Sequence, residues 1–142
     1  MSGLLRGVAA AMAMSGVRSL TTGLGLVRMT PPEEVGSHGA ASLLARVPPE
    51  RRGAALELTH WSYGALGGAV FDALPTGARR SRFAGAAYGV GLWVFFETVV
   101  APILGAPERE RPTSERAALI ADHVLYGLLL TAGRTDRTGG DR

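Results

Sequence analysis

Cysteine is missing from all 142 residues, which excludes disulfides, thiolate metal sites and cysteine nucleophiles together. Lysine is missing too: all 15 basic residues are arginine, a bias that points to a GC-rich genome rather than to a function. Charged residues make up only 19% of the chain and aromatics 6%. So little charge, with apolar residues gathered in runs, excludes a disordered segment or a nucleic-acid tail. The net charge of +3 does not alter this, because the arginines form no basic stripe. No nucleic-acid partner is expected. The length allows one domain.

What the chain has in abundance is small and apolar residues: 46% belong to the hydrophobic set and a further 20 are glycine. Residues 83–104 read FAGAAYGVGLWVFFETVVAPIL, with Glu97 the one charged side chain. At about 1.5 Å per residue, some 20 apolar residues cross a hydrocarbon core of roughly 30 Å. Three weaker stretches share the design, at 4–27, 54–74 and 114–133. The pattern predicts an all-α, four-span transmembrane helix bundle occupying residues 1–133, in contact with the lipid bilayer. A mean hydropathy of only +0.16 reflects charged loops and near-neutral glycine. The rival is a soluble helical bundle, disfavoured by the length of the third stretch.

The first stretch also has features of a signal peptide, with Arg6 ahead of a run of small apolar residues. It resumes after Arg18 and reaches Val27, too long for a signal core, so a retained first span is expected. An acid-free, arginine-bearing start resembles a mitochondrial presequence only superficially. The connection that follows is bounded by Thr30-Pro31-Pro32-Glu33-Glu34 and Pro48-Pro49-Glu50-Arg51-Arg52. Between them, 35–47 reads as a short interfacial helix or as a solvated loop. Pro49 and Glu50 suit the first turn of span two, and Thr113 suits an N-cap for span four. The polar tail, 134–142, is expected to be disordered. Arginines divide equally between the two sides, and the short Arg79-Arg80-Ser81-Arg82 loop breaks the tie. By the positive-inside rule that loop and both termini are cytoplasmic.

A self-match at an offset of 63 residues adds a second level of organisation. Residues 53–64, GAALELTHWSYG, and 116–127, RAALIADHVLYG, agree at six of twelve positions. The match takes up two of three histidines and two of three tyrosines. Spans two and four cross in the same direction, so the two His-x-x-Tyr-Gly sequences should lie at similar depth about a pseudo-two-fold axis. The reading is duplication of a two-helix unit, although spans one and three show no sequence match. Positions i and i+3 share a helix face, which aligns His60 with Tyr63 and His123 with Tyr126. Gly64 with Gly68, and Gly85 with Gly89, have the spacing that permits close helix contact in lipid. These glycine-rich faces are also expected to support a homo-oligomer.

Arg18, His60, Glu97, Asp122 and His123 fall inside the spans, each about 9–13 Å from the outer boundary at 1.5 Å per residue. Arg or Asp at a helix centre costs at least about 2.5–3.5 kcal/mol, so these groups invite pairing, Glu97 with Arg18 in particular. With Tyr63 and Tyr126 they form a candidate intramembrane polar site. The alternative is a set of purely structural interhelical hydrogen bonds. Asp72 is expected beside the Arg79-Arg80 loop, His38 has no argued role, and Trp61 and Trp93 read as interfacial anchors or packing groups.

Three functions fit: a small-solute or proton pathway, a non-catalytic membrane scaffold, or a haem-binding protein with His60 and His123 as axial ligands. The first is preferred. No cofactor is expected under it, haem b being the third reading's alone, and no catalytic or metal-ligand spacing argues for an enzyme. His60-x-x-Tyr63, Pro102-x-x-Gly105, and Ser114-Glu115 ahead of His123 resemble the YagU-like inner-membrane proteins of unknown function, over about the last three spans. That resemblance implies a multi-pass protein of the bacterial inner membrane, a link to acid stress and no established catalytic residues.

Overall fold

The computed structural model describes residues 1–25, 41–105 and 112–132. Helix α1, Gly3–Gly23, is capped by Ser2, whose hydroxyl accepts from the Leu5 amide. It stops where Gly25 takes φ +71°, a left-handed conformation open to glycine. A single turn, α2, covers Ala41–Leu44. A 3₁₀ turn at Pro49–Arg51, begun by a proline where no amide is needed, leads into α3, Arg52–Ala73. Leu74, held extended ahead of Pro75, ends it. A short α4, Thr76–Arg80, connects to α5, Ala84–Phe95.

α5 does not stop at Phe95. The ladder widens to a π turn over Phe96–Val100 and resumes as α6, Ala101–Ile103. Pro102 gives the reason: it has no amide for the carbonyl four residues back, and its ring would press on that carbonyl. Finally α7 spans Thr113–Ala132. Thr113 is its first helical residue rather than its cap, and the Pro112 carbonyl accepts from Arg116. Of the proposed interfacial helix only α2 and the residues after it fall in the described part. The polar tail lies outside the described residues.

The element pattern is all-helical among the described residues. One helix, Ala84–Ile103 taken through its π turn, is long and apolar enough to cross a membrane, with a mean hydropathy of 1.5. Only 6% of that stretch is buried, unlike the core helix of a soluble bundle. The other three long helices each hold polar or charged residues that lower their hydropathy, and Arg6, Arg18, Glu115 and Asp122 among them are buried. α1 buries Gly3, Arg6, Gly7, Ala10, Ala11, Met14 and Arg18, a three- and four-residue spacing that marks one helical face. Its leucines face out: Leu4, Leu5 and Leu20 are exposed, as are Leu58, Leu66 and Val70 of α3 and Val94 and Phe95 of α5.

α1 packs on α3, α5 packs on α7, and α1 also packs on α7. Both pairs are zipped at glycine. A methyl group at Gly3 or Gly7 would run into the Gly68 or Gly64 carbonyl, and one at Gly64 would meet the Ala11 Cβ at 2.5 Å. In the second pair, Gly85 lies on the Gly127 carbonyl and Gly89 on that of His123. Gly64, Gly68, Gly85 and Gly89 therefore all stand at backbone-to-backbone contacts. Phe71, Tyr126 and Leu130 fill the space between the pairs, with Ala10, Ala11 and Met14 of α1. α3 and α5 meet through side chains: the Tyr88 hydroxyl donates to the Gly67 carbonyl at 2.6 Å, and Phe71 and Tyr88 pack edge to face at 5.0 Å.

Because these contacts leave no room for a Cβ, Gly7→Ala and Gly89→Ala should each destabilise the fold by about 1–3 kcal/mol through overpacking. Gly91, where an added methyl would have nothing within 4 Å, is the control. Gly91→Ala should be neutral or stabilising by up to about 1 kcal/mol from helix propensity. Thermal unfolding in detergent micelles measures all three.

Candidate functional site

Beyond the glycine contacts the helices carry larger side chains, and a cavity of about 400 Å³ opens between them. α1 contributes Met14 and Arg18; α3 contributes Ala55, Leu56, Thr59, His60 and Tyr63. Phe96 and Val100 of the π turn and Leu104 form another wall, and α7 adds Leu119, Asp122 and His123. Leu43, Leu44 and Val47, from α2 and the chain after it, border the same space. All four long helices thus line one cavity. Met14 also belongs to the packed core and forms its floor.

Five of the seven residues named for the polar site line this cavity: Arg18, His60, Tyr63, Asp122 and His123. The remaining two do not. Tyr126 is buried on the far side, where its hydroxyl donates to the Gly64 carbonyl at 2.5 Å. Glu97 sits half-buried in the π turn, outside the lining.

Arg18 corrects an expected pairing. Its ion pair is with Glu57 of α3, at 3.4 Å, rather than with Glu97. Ser15 joins the two, because one turn of α1 separates it from Arg18 and places it against α3. The Ser15 hydroxyl donates to Glu57 Oε2 at 2.6 Å and accepts from Arg18 Nη2 at 3.1 Å. It also accepts from Trp61 Nε1 at 3.1 Å. One donor and two acceptor positions are what a hydroxyl offers, so the group is fully used. Trp61 is therefore a hydrogen-bonded part of the site's surround. Arg18, only 5% exposed, meets a carboxylate and a hydroxyl, as a buried guanidinium must.

Sequence inspection missed Glu57 and Ser15. A signal for Glu57 existed: it is a carboxylate inside the second span, three residues before His60 and so on its face. Ser15 carried none, since serine is common in such helices. At the opposite end, Arg6 pairs with Asp72 and donates to the Met1 carbonyl at 2.7 Å. Asp72 lies 3.9 Å from Arg79 as well, so its neighbour in the short loop is present, but α1 supplies the nearer partner. His38 lies outside the described residues.

The hydrogen-bonding state of the cavity groups differs from that of the core. His123 Nδ1 is 2.8 Å from the Leu119 carbonyl. A carbonyl can only accept, so Nδ1 carries the proton, and in the uncharged ring Nε2 is left as an acceptor. Among the described residues, the buried His60 Nε2 and Tyr63 hydroxyl have no hydrogen-bond partner. Tyr63 packs edge-on to Phe96, with ring centroids 6.2 Å apart. No group of three or more His, Asp or Glu among the described residues is arranged to hold a metal ion.

Comparison with protein-family models, curated proteins and solved structures gives no match to this chain.

The Ser15 hub makes a direct prediction. Ser15→Ala leaves Glu57, Arg18 and Trp61 each short of a partner and should cost about 1–3 kcal/mol. Ser19→Ala, whose hydroxyl bonds only its own helix at Ser15 O, should stay within about 0.5 kcal/mol. Thermal midpoints, together with Trp61 emission in a Trp93→Phe background, distinguish the two.

Proposed function

We propose that this chain is a four-span membrane protein whose cavity is the binding site of a small-solute or proton pathway. The observation that carries the reading is the convergence of Arg18, His60, Asp122 and His123, from α1, α3 and α7, on one cavity. Groups this costly to bury, brought together around open space, are expected where a membrane protein handles a polar solute. Packing alone would call for them to be filled in around, as Tyr126 is.

Four crossings are supported by length and by polarity. α1, α3 and α7 have 21, 22 and 20 residues, and Ala84–Ile103 has 20. Each is roughly 30 Å long, the thickness of a bilayer's hydrocarbon core. The inward faces hold glycine, alanine and buried charge beside Met14, Phe71, Leu119, Tyr126 and Leu130, while many leucines, valines and phenylalanines face outward. A chain in water favours the reverse, whereas helices in lipid associate through small and polar residues. The YagU-like resemblance supports the bacterial inner membrane as the location, and the positive-inside rule puts both termini and the Arg79–Arg82 loop on the cytoplasmic side. The cavity then opens toward the outer side, and the glycine-zipped half closes the inner side.

The absence of native cysteine makes the topology testable by single-cysteine labelling. In right-side-out membranes, Glu50→Cys and Ser114→Cys should react with an impermeant maleimide, while Ser2→Cys and Arg80→Cys should react only after permeabilisation. Labelling of all four from one side, or recovery of the protein in the soluble fraction, rules out this arrangement. For the pathway, proteoliposomes are assayed for proton flux with entrapped pyranine and for glycerol entry by light scattering. At least one flux should exceed that of empty vesicles and fall to background in the His60→Leu, His123→Leu double variant. Neither flux rising leaves the scaffold as the better reading.

A further inference from the structure

Building on the binding site proposed above, we infer the chemical class of its occupant: an uncharged amphiphile with a hydroxyl-bearing head, the head at His60, Tyr63 and His123. The apolar body would rest against Leu56, Phe96 and Val100.

Hydrogen-bonding capacity selects the head. His60 and Tyr63 line the cavity, and their Nε2 and hydroxyl are buried and lack partners among the described residues. His123 has its proton committed to the Leu119 carbonyl, which leaves an acceptor nitrogen. Leaving buried polar atoms unsatisfied is costly, so a ligand that completes them gains affinity by doing so. A hydroxyl donates once and accepts twice. It can therefore give its proton to an imidazole nitrogen while accepting from tyrosine, which a bare carbonyl or ether cannot do.

Charge does not select the alternatives, because the wall holds both signs and either charged head meets a repelling group beside an attracting one. An anionic head meets two carboxylates: Asp122 in the wall and Glu57 already holding Arg18. A cationic head meets the Arg18 guanidinium in the same wall. An uncharged head avoids both repulsions in a space of low dielectric, where they are strongest. The rest of the lining is aliphatic or aromatic, and the volume of about 400 Å³ falls in the range of small-molecule sites. An apolar body is therefore the complement of the walls.

The test uses full-length protein in lipid nanodiscs, in a Trp93→Phe background that leaves Trp61, hydrogen-bonded to Ser15 beside Arg18, as the reporter. Three probes with the same decyl chain are titrated: decylhydroquinone, kept reduced, decanoate and decyltrimethylammonium. Decylhydroquinone should shift Trp61 emission saturably, with both charged probes at least about ten-fold weaker. Tyr63→Phe should weaken its binding about ten-fold, the effect of one hydrogen bond to a buried group. Ala55→Phe, which fills the cavity while leaving every polar group in place, should abolish binding; unfolding curves run alongside confirm that each variant is folded. Tighter binding of either charged probe overturns the assignment, as does a hydroquinone response that fails to saturate or is indifferent to both substitutions. Histidine-dependent flux without hydroquinone binding overturns this inference alone, whereas loss of both removes the binding-site reading with it.

Discussion

Backbone-to-backbone contact at glycine is the constraint on which the rest of this structure depends. Gly3 and Gly7 seat α1 on the carbonyls of α3, and Gly85 and Gly89 seat α5 on those of α7. Contacts this close maximise dispersion and permit Cα–H···O interactions, each small but repeated along the pair. In lipid they matter more than apolar bulk, because the acyl chains are as apolar as leucine and give it no reason to turn inward. All four glycines lie in the same half of the bundle, since α1 and α5 begin where α3 and α7 end. The opposite half has Met14, Arg18, Phe96 and Leu104 between the helices instead. The cavity follows from that division: one half is zipped shut and the other is held apart by large side chains.

Buried charge does a different task. Arg6 with Asp72, and Arg18 with Glu57, are both pairs between α1 and α3, one toward each end. Sliding α1 by a turn, about 5.4 Å, would separate both partners at once and strand two guanidiniums. Glycine contacts are short-ranged and alike along a helix, so they set distance better than register. The ion pairs supply the register. Ser15 couples the second pair to Trp61 and so ties the wall of the cavity to the helix contact behind it.

The two segments of the sequence self-match both make glycine contacts and differ in their side-chain surroundings. Gly64 and Gly127 occupy matching positions, each facing a glycine of the preceding helix. The tyrosines just before them have diverged: Tyr126 bonds the Gly64 carbonyl inside the core, while Tyr63 borders the cavity. The interfaces between the two units diverge likewise. α1 lies directly on α7, but the corresponding approach of α5 to α3 is bridged by Tyr88, Phe71, Tyr63 and Phe96.

Much of this was legible in the chain, because hydropathy and helix punctuation are local. Apolar length and Pro49 locate the long helices, and the His-x-x-Tyr-Gly repeat marks His60 and His123 as a pair from sequence alone. That Arg18 and Asp122 share their cavity is also consistent with residue depth, which counting along a helix supplies. Depth, however, is only one of three coordinates. Azimuth and neighbour identity arise from how helices rotate against one another, and one sequence does not contain them. For that reason Arg18 could be placed at the right level and still be given Glu97 in place of Glu57. The two tyrosines, alike in their His-x-x-Tyr-Gly setting, likewise have opposite surroundings because α7 lies directly against α1 while α3 and α5 meet through side chains.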